Sequence, residues 1–138
     1  MGAPGVGAPG VPPLAVLVAV ARVAALIPDL LFGSKVQSAL TQAGHEVDLV
    51  SSEIDVWDQV GGIDVLVVDL TTDDLDGIQL VEALGIGGEL HRVRTLGFFA
   101  HVEPEVRERA LAAGFDQVVP RSRMHREGAE LVARLVAA

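Results

Sequence analysis

Four carboxylates fall within residues 69–76 of this chain: Asp69, which ends an apolar run, and Asp73, Asp74 and Asp76 in the loop behind it. Clustered carboxylate oxygens are what a hard divalent cation requires. An acidic loop ahead of a helix is equally what a solvated N-terminal cap looks like, its charge favoured by the helix dipole. That is the reading given to Asp73, Asp74 and Asp76, while Asp69 alone reads as a strand-end residue able to cap its loop. His45, His91, His101 and His125 show no metal-ligand spacing, and His101 reads as a surface loop residue. Ser34, Ser51, Ser52 and Ser122 lack a nucleophile elbow or a paired histidine. Gly85, Gly87 and Gly88 follow a helical pattern instead of joining a strand to a helix, so they form no phosphate cradle. With no cysteine there is no disulfide, thiolate zinc site or thiol nucleophile. The expectation is a protein that is not an enzyme, with no cofactor and no metal.

These residues must be positioned by a small scaffold. The 138 residues suit one domain, and a net charge of −9 argues against nucleic acid as a partner. Residues 1–20 read as a Gly/Pro-rich leader with an apolar extension, and 21–138 as the folded domain. The apolar run 14–31 is broken by Arg22, Pro28 and Asp29; a spanning helix wants about 20 apolar residues with few charges, so no membrane segment is expected. A cytoplasmic location is the accompanying expectation. Between Lys35 and Arg92 lie twelve acids and no Lys or Arg, whereas from Arg92 onward eight arginines face six acids.

From Arg22 onward, short β-type runs alternate with helical patterns, the signature of a parallel sheet with helices on both faces. The spacing predicts strands at 22–27, 46–50, 64–70, 94–100 and 116–120. It predicts helices at 29–43, 53–60, 77–84, 104–113 and 124–136, with Leu30, Leu31, Val36, Leu40 and Ala43 as the first helix's apolar stripe and Gly44 as its stop. Phe98 and Phe99 should fill the core on opposite faces. In such sheets the site lies beyond the carboxyl ends of the strands.

The segment IDVLVVDLTTDDLDG, residues 63–77, resembles the receiver domain of bacterial response regulators. In that family an apolar strand ends in a phosphoryl-accepting aspartate, and an Asp-Gly pair follows seven residues later; Asp69, Asp76 and Gly77 fit that spacing. AHVEPEVRERALAAGFDQVVPRS, residues 100–122, is similar to the family's fourth helix and fifth strand, and DLLFGSKVQSALTQAGHEV, residues 29–47, to its first helix and second strand. The resemblance implies a flavodoxin-like, doubly wound α/β fold, a five-stranded parallel sheet in the order 2-1-3-4-5.

Departures from that pattern shape the functional expectation. The family's acidic pair after strand one, which holds Mg²⁺, falls on Ile27 and Pro28, with Asp29 one residue late. Its switching hydroxyl falls on Phe99, and its Lys-Pro pair on Arg121 and Ser122. The resemblance therefore implies a degenerate member, a pseudo-receiver: Asp69 a vestigial phosphoacceptor, Pro28, Asp29, Asp73, Phe99 and Arg121 lining its pocket, and a direct Asp69–Arg121 ion pair in the metal's place. Arg107, Arg109, Arg121, Arg123, Arg126 and Arg134 would supply an interaction face on helix four, strand five and helix five, opposite an acidic flank. The expected function is a stand-alone regulatory module acting through a protein partner or as a homo-oligomer. Two alternatives stand beside it: a working receiver phosphorylated on Asp69, and a small flavodoxin-like ligand-binding protein or enzyme.

Overall fold

A strand that is apolar at nearly every position has no solvent face to offer, so it must lie between two layers. Val65–Asp69 meets that condition, with all five residues buried. The computed structural model, which describes residues 20–72, 75–100 and 104–138, places this strand at the centre of a five-stranded parallel sheet. In chain order the elements are β1 (Arg22–Leu26), α1 (Leu30–Gln42), β2 (Glu46–Val50), α2 (Glu53–Gln59) with a 3₁₀ turn at Val60–Gly62, β3 (Val65–Asp69), α3 (Gly77–Ile86), β4 (Arg94–Phe99), α4 (Pro104–Ala113), β5 (Gln117–Pro120) and α5 (Arg121–Ala137). The strand order is β2-β1-β3-β4-β5, the expected 2-1-3-4-5 arrangement. The leader residues 1–19, Asp73 and His101 lie outside the described residues.

Alternation along the strands builds two cores. Val23, Ala25, Val65, Val67, Leu96 and Phe98 pack with Phe32, Val36 and Leu40 of α1 and with Met124, Leu131 and Leu135 of α5. Ala24, Leu66, Val68, Phe99 and Val118 pack on the other side with Val56 of α2, Leu80, Val81 and Leu84 of α3, and Ala110 of α4. Phe98 and Phe99 thus divide between the two faces, as their adjacent positions require. Each fully buried aliphatic side chain of β3 contributes about 1.5–3 kcal/mol over its exposed state.

Three local features differ from the sequence pattern. The buried stripe of α1 is Phe32, Val36 and Leu40, while Leu30 and Leu31 are 75% and 72% exposed. The cap at Asp29 sets the phase of this helix, and a spacing of four from Phe32 selects the stripe. Second, α3 runs on through Gly85 to Ile86, and the turn comes at Gly88, with φ +77°. Third, α5 begins at Arg121, directly after Pro120, because the polar Arg121-Ser122-Arg123 stretch forms its first turn instead of a loop. Gly44 does stop α1, at φ +99°, with the His45 N–H returning to the Leu40 carbonyl. Among the described residues no helix is long and apolar enough to cross a membrane.

Two buried contacts hold the layers in place. The Ala21 N–H donates to His45 Nδ1 at 3.0 Å, so that nitrogen is the acceptor, and Nε2 lies 3.4 Å from the Ala129 carbonyl of α5. Replacing His45 with Leu strands the Ala21 amide, and urea unfolding should record a loss of about 1–3 kcal/mol. At the start of α3, a Cβ on Gly77 would stand 2.5 Å from Val68 Cγ1 and 2.9 Å from Leu70 Cδ2. Gly77→Ala should therefore cost about 1–3 kcal/mol by overpacking, read from the urea midpoint at unchanged slope.

Candidate functional site

The carboxyl ends of the strands converge where β1 and β3 lie side by side and their following helices depart to opposite faces. Asp69 closes β3 opposite Phe98 in register, and only 3% of it is exposed. Its Oδ1 accepts the Thr71 N–H at 2.7 Å and also the Thr71 hydroxyl. A carboxylate bonding the amide two residues on is the Asx turn that starts a loop. Asp69 therefore caps its own loop, whatever else it does. Thr71 is the neighbour that sequence reasoning passed over; an Asp-x-Thr triplet at a strand end is the signal for it.

Asp29 sits across the mouth, at the end of β1. Its Oδ1 accepts the N–H groups of Leu31 and Phe32, at 3.0 and 3.1 Å, and so caps α1. Its Oδ2 accepts from Arg121 Nη2 at 3.2 Å. The guanidinium lies over the Phe32 ring, 4.1 Å from its centroid, and Phe32 in turn meets Phe98 at 5.3 Å between centroids. A planar cation suits this position because it can stack and bond a carboxylate at once. The Phe32 amide, more than any other group, holds the Asp29 carboxyl below its ordinary value of 3.8; partial desolvation opposes this, and Arg121 reinforces it.

The expected Asp69–Arg121 pair is thus corrected: Arg121 reaches Asp29, and Asp69 is satisfied by Thr71. The first turn of α5 follows Pro120 directly, which carries the guanidinium over α1 instead of over the end of β3. Ile27, in the register of the resemblance's first acid, is 2% exposed and belongs to the α1–α5 core. Pro28 is half-buried beside it. Phe99, where the resemblance places a hydroxyl, is 4% exposed in the opposite core. Mg²⁺, which the receiver resemblance implies, needs near-octahedral oxygen coordination. The donor set does not fit it: Asp69 supplies one carboxylate, Ile27 and Pro28 supply no side-chain oxygen, and Asp29 is already divided between helix amides and an arginine. Among the described residues no three His, Asp or Glu side chains come together as metal ligands.

The six arginines of the anticipated interaction face lie on α4 and at or within α5. Arg121 is held by Asp29, Arg123 and Arg126 both approach Glu127 at 3.6 and 3.7 Å, and Arg134 bonds Glu130 at 3.3 Å. Residues 104–138 carry five acids against these six arginines. The face is close to charge balance, and only Arg107 and Arg109 make no ion pair among the described residues.

The strand order and the helices on both faces are the architecture seen in solved response-regulator receiver domains. No protein-family model and no curated protein sequence matches the chain. Solved structures do. The receiver domain of the Francisella response regulator 1452 superposes with a TM-score of 0.75 at 18% identity, covering 85% of this chain and 97% of that one. The chemotaxis response regulator CheY4 of Vibrio cholerae gives 0.74 at 18%, covering 85% and 99%. A response regulator from Thermotoga maritima gives 0.74 at 16%, covering 87% and 100%. Identities this low speak for the fold.

Because the folded state depresses the Asp29 pKa, the unfolded chain binds this proton more tightly, and the Asp29 contribution is present above 3.8 and lost as pH falls through the folded value. Asp29→Asn keeps a capping oxygen but removes the charge. Its thermal midpoint should lie below wild type at neutral pH, with the gap closing as the pH drops under 3.8. Asp29→Ala, which loses cap and charge together, should fall further.

Proposed function

We propose that this chain is a receiver-like signalling module that acts by protein contact, is not an enzyme, and works without Mg²⁺-dependent phosphorylation of Asp69. The receiver domains among its structural neighbours support a response-regulator role. The observation that carries the finer reading is the employment of Asp29: one oxygen caps α1 and the other binds Arg121. Phosphoryl transfer is almost entirely positioning plus neutralisation of charge on the phosphoryl oxygens. Here the metal's carboxylates are replaced or engaged, and the cation that could substitute is stacked on Phe32. Phe99 removes the hydroxyl that a switching receiver would pull toward the phosphoryl group.

The amide spectrum of the ¹⁵N-labelled chain, with Mg²⁺ and beryllofluoride added together, tests this reading. The resonances of Asp69 and Thr71 should stay where they are. A saturable shift at both, abolished by Asp69→Asn, would establish a working phosphoacceptor and displace the proposal.

A further inference from the structure

Residues 46–64 hold six carboxylates and no Lys, Arg or His. They span β2, which is an edge strand, and α2. Only Val56 is buried within α2, and Val60 of the following turn is the next anchor. The outward side carries two large apolar residues, Ile54 at 72% exposure and Trp57 at 42%. Ile54, Trp57 and Asp58 stand at i, i+3 and i+4, so they share one face of the helix. In the turn that follows α2, a Cβ on Gly61 would meet no atom within 4 Å, so the chain there borders open space. Beside it, Glu46 and Asp48 of β2 and Asp58 of α2 line a hollow of about 320 Å³. Arg22 is the one cation on its wall among the described residues.

We infer that the outer face of α2 and the adjoining edge of β2 form a docking surface for a basic protein segment, one that lays an apolar residue on Ile54 and Trp57 and sends a Lys or Arg into the hollow lined by Glu46, Asp48 and Asp58. Tryptophan is enriched among interaction hot spots, where the surrounding contacts seal it from water once the partner is seated. The unbalanced charge selects the sign of the partner. A second copy of this chain is the poorer occupant, because five of the seven arginines in its C-terminal third are paired with its own carboxylates. The inference deepens the reading of the chain as a contact module, and it stands whether or not Asp69 accepts a phosphoryl group.

Trp57 is the chain's only tryptophan, so its emission reports the surface directly. The probe is a synthetic peptide of about fourteen residues alternating leucine and lysine, titrated into the full chain and compared with its leucine–glutamate counterpart. The expected result is a saturable blue shift with the lysine peptide alone, weakened about fivefold or more between roughly 20 and 300 mM salt. Binding should weaken about fivefold or more in Ile54→Ser and in the Asp48→Asn, Asp58→Asn double variant, and should be unchanged in the Glu82→Gln, Glu89→Gln control. Equal binding of both peptides overturns the proposal, as do equal losses in the control. Sedimentation showing self-association that Ile54→Ser removes would assign the surface to a second copy and likewise overturn it. The beryllofluoride experiment reads Asp69 independently, so the two readings fail separately.

Discussion

Strand β3 is covered on both faces, and that double burial dictates where the polar chemistry of this domain is placed. Four apolar side chains alternate into the two cores, and the one carboxylate of the strand comes at its end. A carboxylate that is 3% exposed must be hydrogen-bonded locally, and Asp69 takes its bonds from Thr71. The same sealing draws α3 so close that its first residue has no room for a Cβ. The glycine that the receiver spacing demands at position 77 is thus explained by packing, independent of any phosphoryl chemistry.

Across the mouth, Asp29 divides its two oxygens between jobs. Capping α1 fixes the phase of the helix, which turns Phe32 inward, and Phe32 then becomes the platform for Arg121. The ion pair is partly exposed, and pairs of that kind contribute little to stability. Its importance is chemical: it engages the Asp29 oxygen that the helix cap leaves over and the cation at the position where the receiver resemblance places lysine. Stacking and carboxylate bonding together need the planar guanidinium, so Arg121, Phe32 and Asp29 belong to one arrangement.

The sheet and both cores were legible because period and apolarity are local properties: the alternation of β3, the Phe98–Phe99 division and the Gly44 stop all follow from neighbouring residues. The strand order came with the receiver resemblance, which quotes spacing and not packing. What escaped was decided by distant partners. Asp29 and Arg121 are 92 residues apart, and nothing local separates Asp29 from Asp69 as the arginine's target. His45 bonds across to Ala21 and α5, although a histidine after a glycine stop looks like any surface turn. The first turn of α5 was hidden because its polar residues face Asp29 and solvent instead of a core. The arginine-rich C-terminal third looked basic as a composition, but i,i+4 pairing on α5 neutralises much of it.

The most direct test of the central claim, that an Asp29–Arg121 pair stands where a receiver would hold its metal, is a crystal structure grown in Mn²⁺ with anomalous differences measured at the end of β3. The account predicts no anomalous peak beside Asp69, with the Arg121 guanidinium still on Asp29 and Phe32. A peak ligated by Asp69, with Asp29 turned toward it and Arg121 released, would contradict it.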